Sequence, residues 1–248
     1  SRARLDGEDA PRVVGVQRMP PTDAGTALRI LEVHDLGVVD YDTVWSLQKE
    51  TARRRITGEL ANDTLILVQH PPVVTLGRST KPGHLLATPE LLASQNIALR
   101  DVERGGDVTV HEPGQLVVYP IVDLKQHTQD LHWYLRQVEA SIIAALAQVG
   151  LSAERQAGQT GVWRGGRKLA SIGVHARDWV TWHGVALNIE NDLATFGFVV
   201  PCGIDGVTMT TVERECRSSG VTYPGFSVVR DAVITAFAET FSLRVRLR

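Results

Sequence analysis

Between positions 131 and 149 the apolar residues Leu131, Leu135, Val138, Ile142, Ala145, Leu146 and Val149 recur every three to four residues. That spacing lines one face of an α-helix. The same period runs through Tyr41, Val44, Trp45, Ala52 and Ile56, with Asp40 placed to cap the first turn. It returns in Val229, Val233, Ala236, Phe237 and Phe241, where Ser227 is the expected cap. Shorter apolar runs at 28–33, 64–69, 73–76, 116–122 and 184–189 predict strands, and His70-Pro71-Pro72 makes a rigid corner between the second and third. Residues 160–163 and 168–174 flank Arg164-Gly165-Gly166-Arg167, whose paired glycines supply the positive φ of a two-residue hairpin turn. Helices and strands mix without strict βαβ alternation. The expected fold is therefore α+β, a mixed and mainly antiparallel sheet flanked by helices.

A chain of 248 residues with 43% hydrophobic and 22% charged residues has ordinary globular composition, so one large domain is expected over 28–248. Residues 1–27 carry Pro11, Pro20 and Pro21 among scattered charges and no apolar core of a signal peptide. They read as a mobile extension in which Met19 is a candidate start. Lys and Arg total 26 against 28 Asp and Glu, which removes any global electrostatic reason to expect nucleic acid as a partner. No apolar run approaches the ~20 residues that span a bilayer, so no membrane partner is expected. The two cysteines, Cys202 and Cys216, form no CxxC pair, and no zinc-type His spacing accompanies them. Neither a disulfide framework nor a metal site is expected, and a reducing cytoplasm fits that usage.

Candidate chemistry concentrates in four places. Cys202 sits between Pro201 and Gly203 after an apolar run, so the chain must turn at the thiol. Gly203 would let a substrate carbonyl approach backbone N–H groups able to hold an oxyanion, although a lone cysteine is more often a small buried hydrophobe. Lys168 opens a strand whose alternation places it with Ala170, Ile172 and Val174 on an apolar face, where burial disfavours an ammonium and makes a lysine a candidate base for a thiol. The plainer alternative is that Lys168 snorkels into water from a strand end. The run from Arg104 through Gly105, Gly106, Asp107, Val108, Thr109 and Val110 to His111 combines permissive backbone with donors, yet Gly-Gly by itself usually marks a turn. His183 precedes a strand and is a candidate auxiliary proton carrier, while buried histidines, His111 and His175 among them, are more often merely hydrogen-bonded. Cys216, inside a charged run, reads as structural or incidental.

Four blocks in chain order, GRSTKPGHLL at 77–86, RGGDVTVHEPGQLVVYPI at 104–121, GVWRGGRKLASIGVHARDWVTWHGVALNI at 161–189 and VPCGIDGVTMTTV at 200–212, resemble the lipoyl (octanoyl) transferase family of lipoate biosynthesis. The resemblance implies the fold of biotin and lipoate protein ligases and spans roughly residues 28–240. It implies Cys202 as the nucleophile that takes an octanoyl group as a thioester and Lys168 as its activating base. It also implies substrate contacts from the 104–111 run, from Ser171, Ile172 and Gly173, and from Gly184, Val185 and Ala186. The implied donor is octanoyl-acyl carrier protein, and the implied acceptors are lysines on lipoyl domains of 2-oxo acid dehydrogenases and on the glycine-cleavage H protein. A cytoplasmic monomer without a cofactor is the expectation. The family pattern TYHGPGQ stands here as Thr109-Val110-His111-Glu112-Pro113-Gly114-Gln115, so Val110 and Glu112 are expected to reshape the acyl pocket or its mouth and leave the chain-length preference open. Arg78, Lys81 and Arg104 are the expected basic patch for an acidic carrier. An ATP-dependent lipoate or biotin ligase, a cysteine hydrolase with His183 or His111 as base, and a carrier-binding module without turnover are the competing readings.

Overall fold

A computed structural model describes residues 27–248, so the extension expected over 1–27 lies, but for Ala27, outside the described residues. The chain opens with β1 (Arg29–Val38), α1 (Tyr41–Ile56), β2 (Asp63–Gln69) and β3 (Val73–Leu76). A short α2 (Pro89–Ser94) then leads to β4 (Ala98–Asp101), β5 (Val108–His111), β6 (Gln115–Ile121) and the long α3 (Leu131–Gln148). The second half holds β7 (Glu154–Gln156), β8 (Gln159–Arg164), β9 (Arg167–Arg177) and β10 (Val180–Asn188). It closes with β11 (Thr208–Met209), α4 (Val212–Ser219), α5 (Phe226–Thr240) and β12 (Leu243–Leu247).

The main sheet runs β12-β1-β2-β6-β10-β9-β8-β7, and β11 adds beside the start of β9. β12, β1 and β2 are parallel, the path from β2 to β7 is antiparallel throughout, and β11 joins β9 in parallel, which is the mixed α+β architecture the sequence predicts. Alternation along β2 decides how the two faces are covered. Leu65 and Leu67 point into a core built with Val138 and Ile142 of α3 and Val229 and Val233 of α5. Ile66 and Val68 point the other way and pack with Val44 and Ala52 of α1. Each such fully buried Val, Leu or Ile side chain contributes roughly 1.5–3 kcal/mol. The Pro71-Pro72 corner carries the chain out of this sheet altogether. β3 becomes the centre of a second sheet, β4-β3-β5, with its own core of Val74, Val108, Val110 and Phe196.

Asp40 caps α1 as expected, its carboxylate accepting from Thr43 N at 2.9 Å. The closing helix differs. α5 begins at Phe226 with Gly225 as N-cap at φ 95°, and Ser227 already lies inside the first turn. A left-handed φ at the junction suits glycine, and a residue within helical geometry cannot take the extended conformation that an N-cap needs. Among the described residues no helix is long and apolar enough to cross a membrane.

Candidate active site

The β8–β9 hairpin turns through Gly165 at φ 53° and Gly166 at φ 76°, as the paired glycines require. It delivers Lys168 to the sheet interior, 1% exposed, which excludes the solvated alternative. Two features hold the strand there. The Lys168 carbonyl accepts from Thr210 N at 2.9 Å, where β11 pairs alongside. Next door, Arg167 makes a two-pronged contact with Glu215 at 2.7 and 2.8 Å, and Thr210 Oγ1 donates to the same carboxylate at 2.7 Å. The Arg167 hydrogen bond, first among these partners, holds the Glu215 pKa below its ordinary value. Lys168 Nζ ends 4.8 Å from the centre of the Trp163 ring and 3.0 Å from Cys202 Sγ, within hydrogen-bond reach of the thiol.

Cys202 occupies a tight turn over Pro201–Gly203 and itself adopts φ 55°, ψ 20°. That left-handed backbone is uncommon for a residue with a side chain, costs of order 1–3 kcal/mol and persists only where its surroundings impose it. Ser171 Oγ lies 3.5 Å from the sulfur. The amides after the thiol are engaged: Gly203 N donates to Val200 O at 3.0 Å and Ile204 N to Pro201 O at 3.2 Å. These two groups close the turn, so the oxyanion donors expected just after Cys202 are not the free N–H groups the sequence suggests.

Lys168 and Cys202 line a cavity of about 240 Å³. Thr109 and His111 of β5, Ser171 to Gly173 of β9, and Gly184 to Ala186 of β10 form its walls, with Arg104, Gly106, Asp107 and Val108 at one side and His183 behind. Glycine is required at 184, where a Cβ would come within 2.1 Å of Val118 O. Gly105 and Val110 stand outside the lining. Gly105 N donates to Val174 O at 2.8 Å, and Val110 packs into the small-sheet core. Glu112 also turns away from the cavity. One oxygen accepts from Asn191 Nδ2 at 2.8 Å and Leu193 N at 2.9 Å, and the other from Thr195 N at 3.1 Å. The two departures at 110 and 112 therefore anchor neighbouring chain and do not reshape the pocket. Tyr41, Val117 and Tyr119 also line it, as do Gly158, Gln159, Thr160 and Ile204. Sequence reasoning missed them, although Val117 and Tyr119 share one face of β6 by alternation.

Arg104 is buried, donating to Thr75 O at 2.9 Å, Thr75 Oγ1 at 2.8 Å and Gly105 O at 3.0 Å. It cannot belong to a surface patch with Arg78 and Lys81. Burial pulls its pKa down from the ordinary arginine value. His111 stacks on Tyr41 with ring centres 5.8 Å apart. Gln115 Nε2 donates to Val110 O and Asn188 Oδ1, so its Oε1 is the group facing His111 Nδ1 at 2.8 Å, and the imidazole donates. Burial holds His111 well below its usual pKa, so the ring is neutral and keeps an acceptor lone pair on Nε2. His183 adopts φ 56°, and its Nε2 lies 3.3 Å from Glu103 Oε1. The same oxygen accepts from Trp45 Nε1 at 3.1 Å and Trp182 Nε1 at 2.6 Å. Burial works against the Glu103 carboxylate, yet His183, Trp182 and Trp45 together hold its pKa well below the usual range.

Residues 40–242 match the family model described as the lipoyl protein ligase A/B catalytic domain. The octanoyltransferase of Chloroflexus aurantiacus is 42% identical over 223 residues, covering 89% of this chain and 98% of that protein. Among solved structures, a bi-partite lipoate protein ligase studied with its E2 lipoyl domain from Thermoplasma acidophilum superposes with a TM-score of 0.68 at 18% identity, covering 89% of this chain and 86% of that one. Lipoate-protein ligase A bound with ATP gives a TM-score of 0.68 at 16% identity, covering 89% and 88%. At those identities the structural likeness establishes the fold alone.

Proposed function

Since the chain belongs to the lipoyl protein ligase A/B catalytic domain family, we propose that it moves an octanoyl group from octanoyl-acyl carrier protein to a lysine of a lipoyl domain, in lipoate biosynthesis, through a thioester on Cys202. The enzyme is an acyltransferase. The observation that carries the finer reading is the 3.0 Å contact between Lys168 Nζ and Cys202 Sγ, made in the wall of an otherwise largely apolar cavity.

A free thiol is mostly protonated at neutral pH, and the thiolate is the nucleophile. Lys168 takes the Cys202 proton, and the sulfur attacks the thioester carbonyl carbon of the donor. As the tetrahedral centre collapses, the bond to the carrier's sulfur breaks, and Lys168 returns the proton to that leaving thiolate. The acyl chain then lies in the cavity as a Cys202 thioester. In the second half the acceptor lysine attacks as a neutral amine, an amide bond forms, and Cys202 leaves as thiolate. Lys168 accepts the proton that the new amide loses and passes it to Cys202. Because the acyl group arrives as a thioester it is already activated, and the reading assigns no nucleotide step. The acceptors include lipoyl domains of 2-oxo acid dehydrogenases and the glycine-cleavage H protein, in a reducing cytoplasm where a free thiol persists.

The test is intact-protein mass spectrometry after incubation with octanoyl-acyl carrier protein and no ATP. An octanoyl adduct mapping to Cys202, absent from Cys202→Ala and chased onto an added lipoyl domain, is expected. Transfer that requires ATP and free octanoic acid, with no adduct, would replace this reading with an ATP-dependent lipoate ligase.

A further inference from the structure

One pair beside the nucleophile has no part in the acyl-transfer steps. His84 Nδ1 lies 2.7 Å from Asp107 Oδ2, and a carboxylate oxygen only accepts, so the imidazole donates. The other carboxylate oxygen accepts from Val108 N at 2.7 Å. Held from both ends, the carboxylate presses on Gly203. A Cβ at that position would fall 2.3 Å from Asp107 Oδ2 and 2.9 Å from His84 Cε1.

His84 grips the preceding side of the turn as well. Its carbonyl accepts from Val200 N at 2.8 Å, and Leu86 N donates to Phe198 O at 2.8 Å, so 84–86 runs as a strap along 198–200. One residue therefore fixes the chain two positions before Cys202 through its backbone, and the position after Cys202 through Asp107. Between those grips lies the left-handed backbone of Cys202, a conformation that persists only where the surroundings impose it.

We propose that the His84–Asp107 pair is a positioning device, one that clamps the Pro201–Gly203 turn and keeps the Cys202 thiol in its reactive pose. His84 and Asp107 act on the reaction through Cys202. This rests on Cys202 being the acyl-accepting group.

The test uses the full chain and iodoacetamide, whose reaction at Cys202 reports the presentation of the thiol without any acyl donor. Asparagine at position 84 places a donor where the imidazole Nδ1 sits, and leucine does not. His84→Leu is expected to slow Cys202 alkylation and octanoyl loading by about tenfold or more, with the KM for the carrier donor unchanged and most of the rate restored in His84→Asn. Gly203→Ala is expected to cost less in an Asp107→Ala background than alone, because the blocking carboxylate is gone. Native alkylation rates in His84→Leu would overturn the proposal, as would Leu and Asn variants that are equally slow while melting at the native temperature. Octanoyl transfer by Cys202→Ala would instead sink the acyl-transfer reading, because the alkylation rates decide the clamp separately.

Discussion

The amide of Gly161 donates to the buried Glu139 carboxylate at 3.0 Å, and the bare Cα beside it leaves the space through which the Lys168 side chain runs. A Cβ at 161 would meet Lys168 Cε at 2.8 Å and Ala170 O at 2.7 Å, and the backbone there has φ 144°. Gly161→Ala must therefore push the Lys168 stem off its line to Cys202. A shift of about 1 Å in a reacting group costs on the order of 100-fold, so loading of Cys202, followed by quenched-flow mass spectrometry, is expected to slow by at least about that factor. Native loading by this variant would mean that Lys168 need not sit where it does.

Lys168→Arg separates charge from proton transfer. A guanidinium stays protonated throughout the working pH range, so arginine retains a cation near the sulfur but cannot take its proton. Both acylation of Cys202 and release to the lipoyl lysine are expected to fall by about 10²–10⁴-fold, as they should in Lys168→Met. Arginine activity near native with methionine inactive would make the lysine an electrostatic partner and not a base.

Much of this arrangement was legible in the sequence because it is written in periodicity. The stripe on α3, the cap at Asp40 and the Gly165-Gly166 turn follow from local rules, and the alternation that buries Lys168 follows from the same rules. Of the second sheet only β3 was legible, as an apolar run; β4 and β5 are four residues each and too short to show a period, so the sheet they form with β3 was not. Ser227 misled because a serine near a helix start is only a local signal, whereas the Gly225 backbone set the boundary. His84 and Glu103 reach the site only through contacts with residues 23 and about 80 positions away, which no local pattern encodes. The orientation of Glu112 has the same origin: its three donors come from the 191–195 segment.

That orientation makes a prediction about specificity. Glu112→Gly, which restores the family residue, removes an acceptor for Asn191 Nδ2, Leu193 N and Thr195 N without touching the cavity wall. Stability is expected to fall by about 1–3 kcal/mol in urea unfolding, the cost of leaving buried donors unpaired. The ratio of octanoyl to shorter or longer acyl transfer is expected to stay unchanged. A shift in chain-length preference would place Glu112 in the acyl pocket after all.

His70 supplies a pH dependence whose sign follows from its contacts. Its Nδ1 faces Val39 O at 2.7 Å, an acceptor, so the neutral ring donates there and accepts at Nε2 from Tyr119 OH, 2.8 Å away. Burial pushes its pKa down to about 4, against the opposing pull of the Val39 carbonyl and Asp40. Above about pH 6.5 the ring is neutral in both the folded and unfolded chain, and stability does not depend on its titration. As pH falls from there toward 4, the unfolded chain binds a proton that the native ring refuses, and stability drops by up to about 1.4 kcal/mol per pH unit. Below about 4 both forms are charged and the slope from this group ends. His70→Asn keeps a donor for Val39 O but does not titrate. Urea unfolding at pH 7, 5.5 and 4.5 is expected to give a shallower loss in the variant, by roughly one proton's worth of slope, with His111 and His183 present in both proteins. Parallel curves would mean that His70 is not the group that resists protonation in the native state.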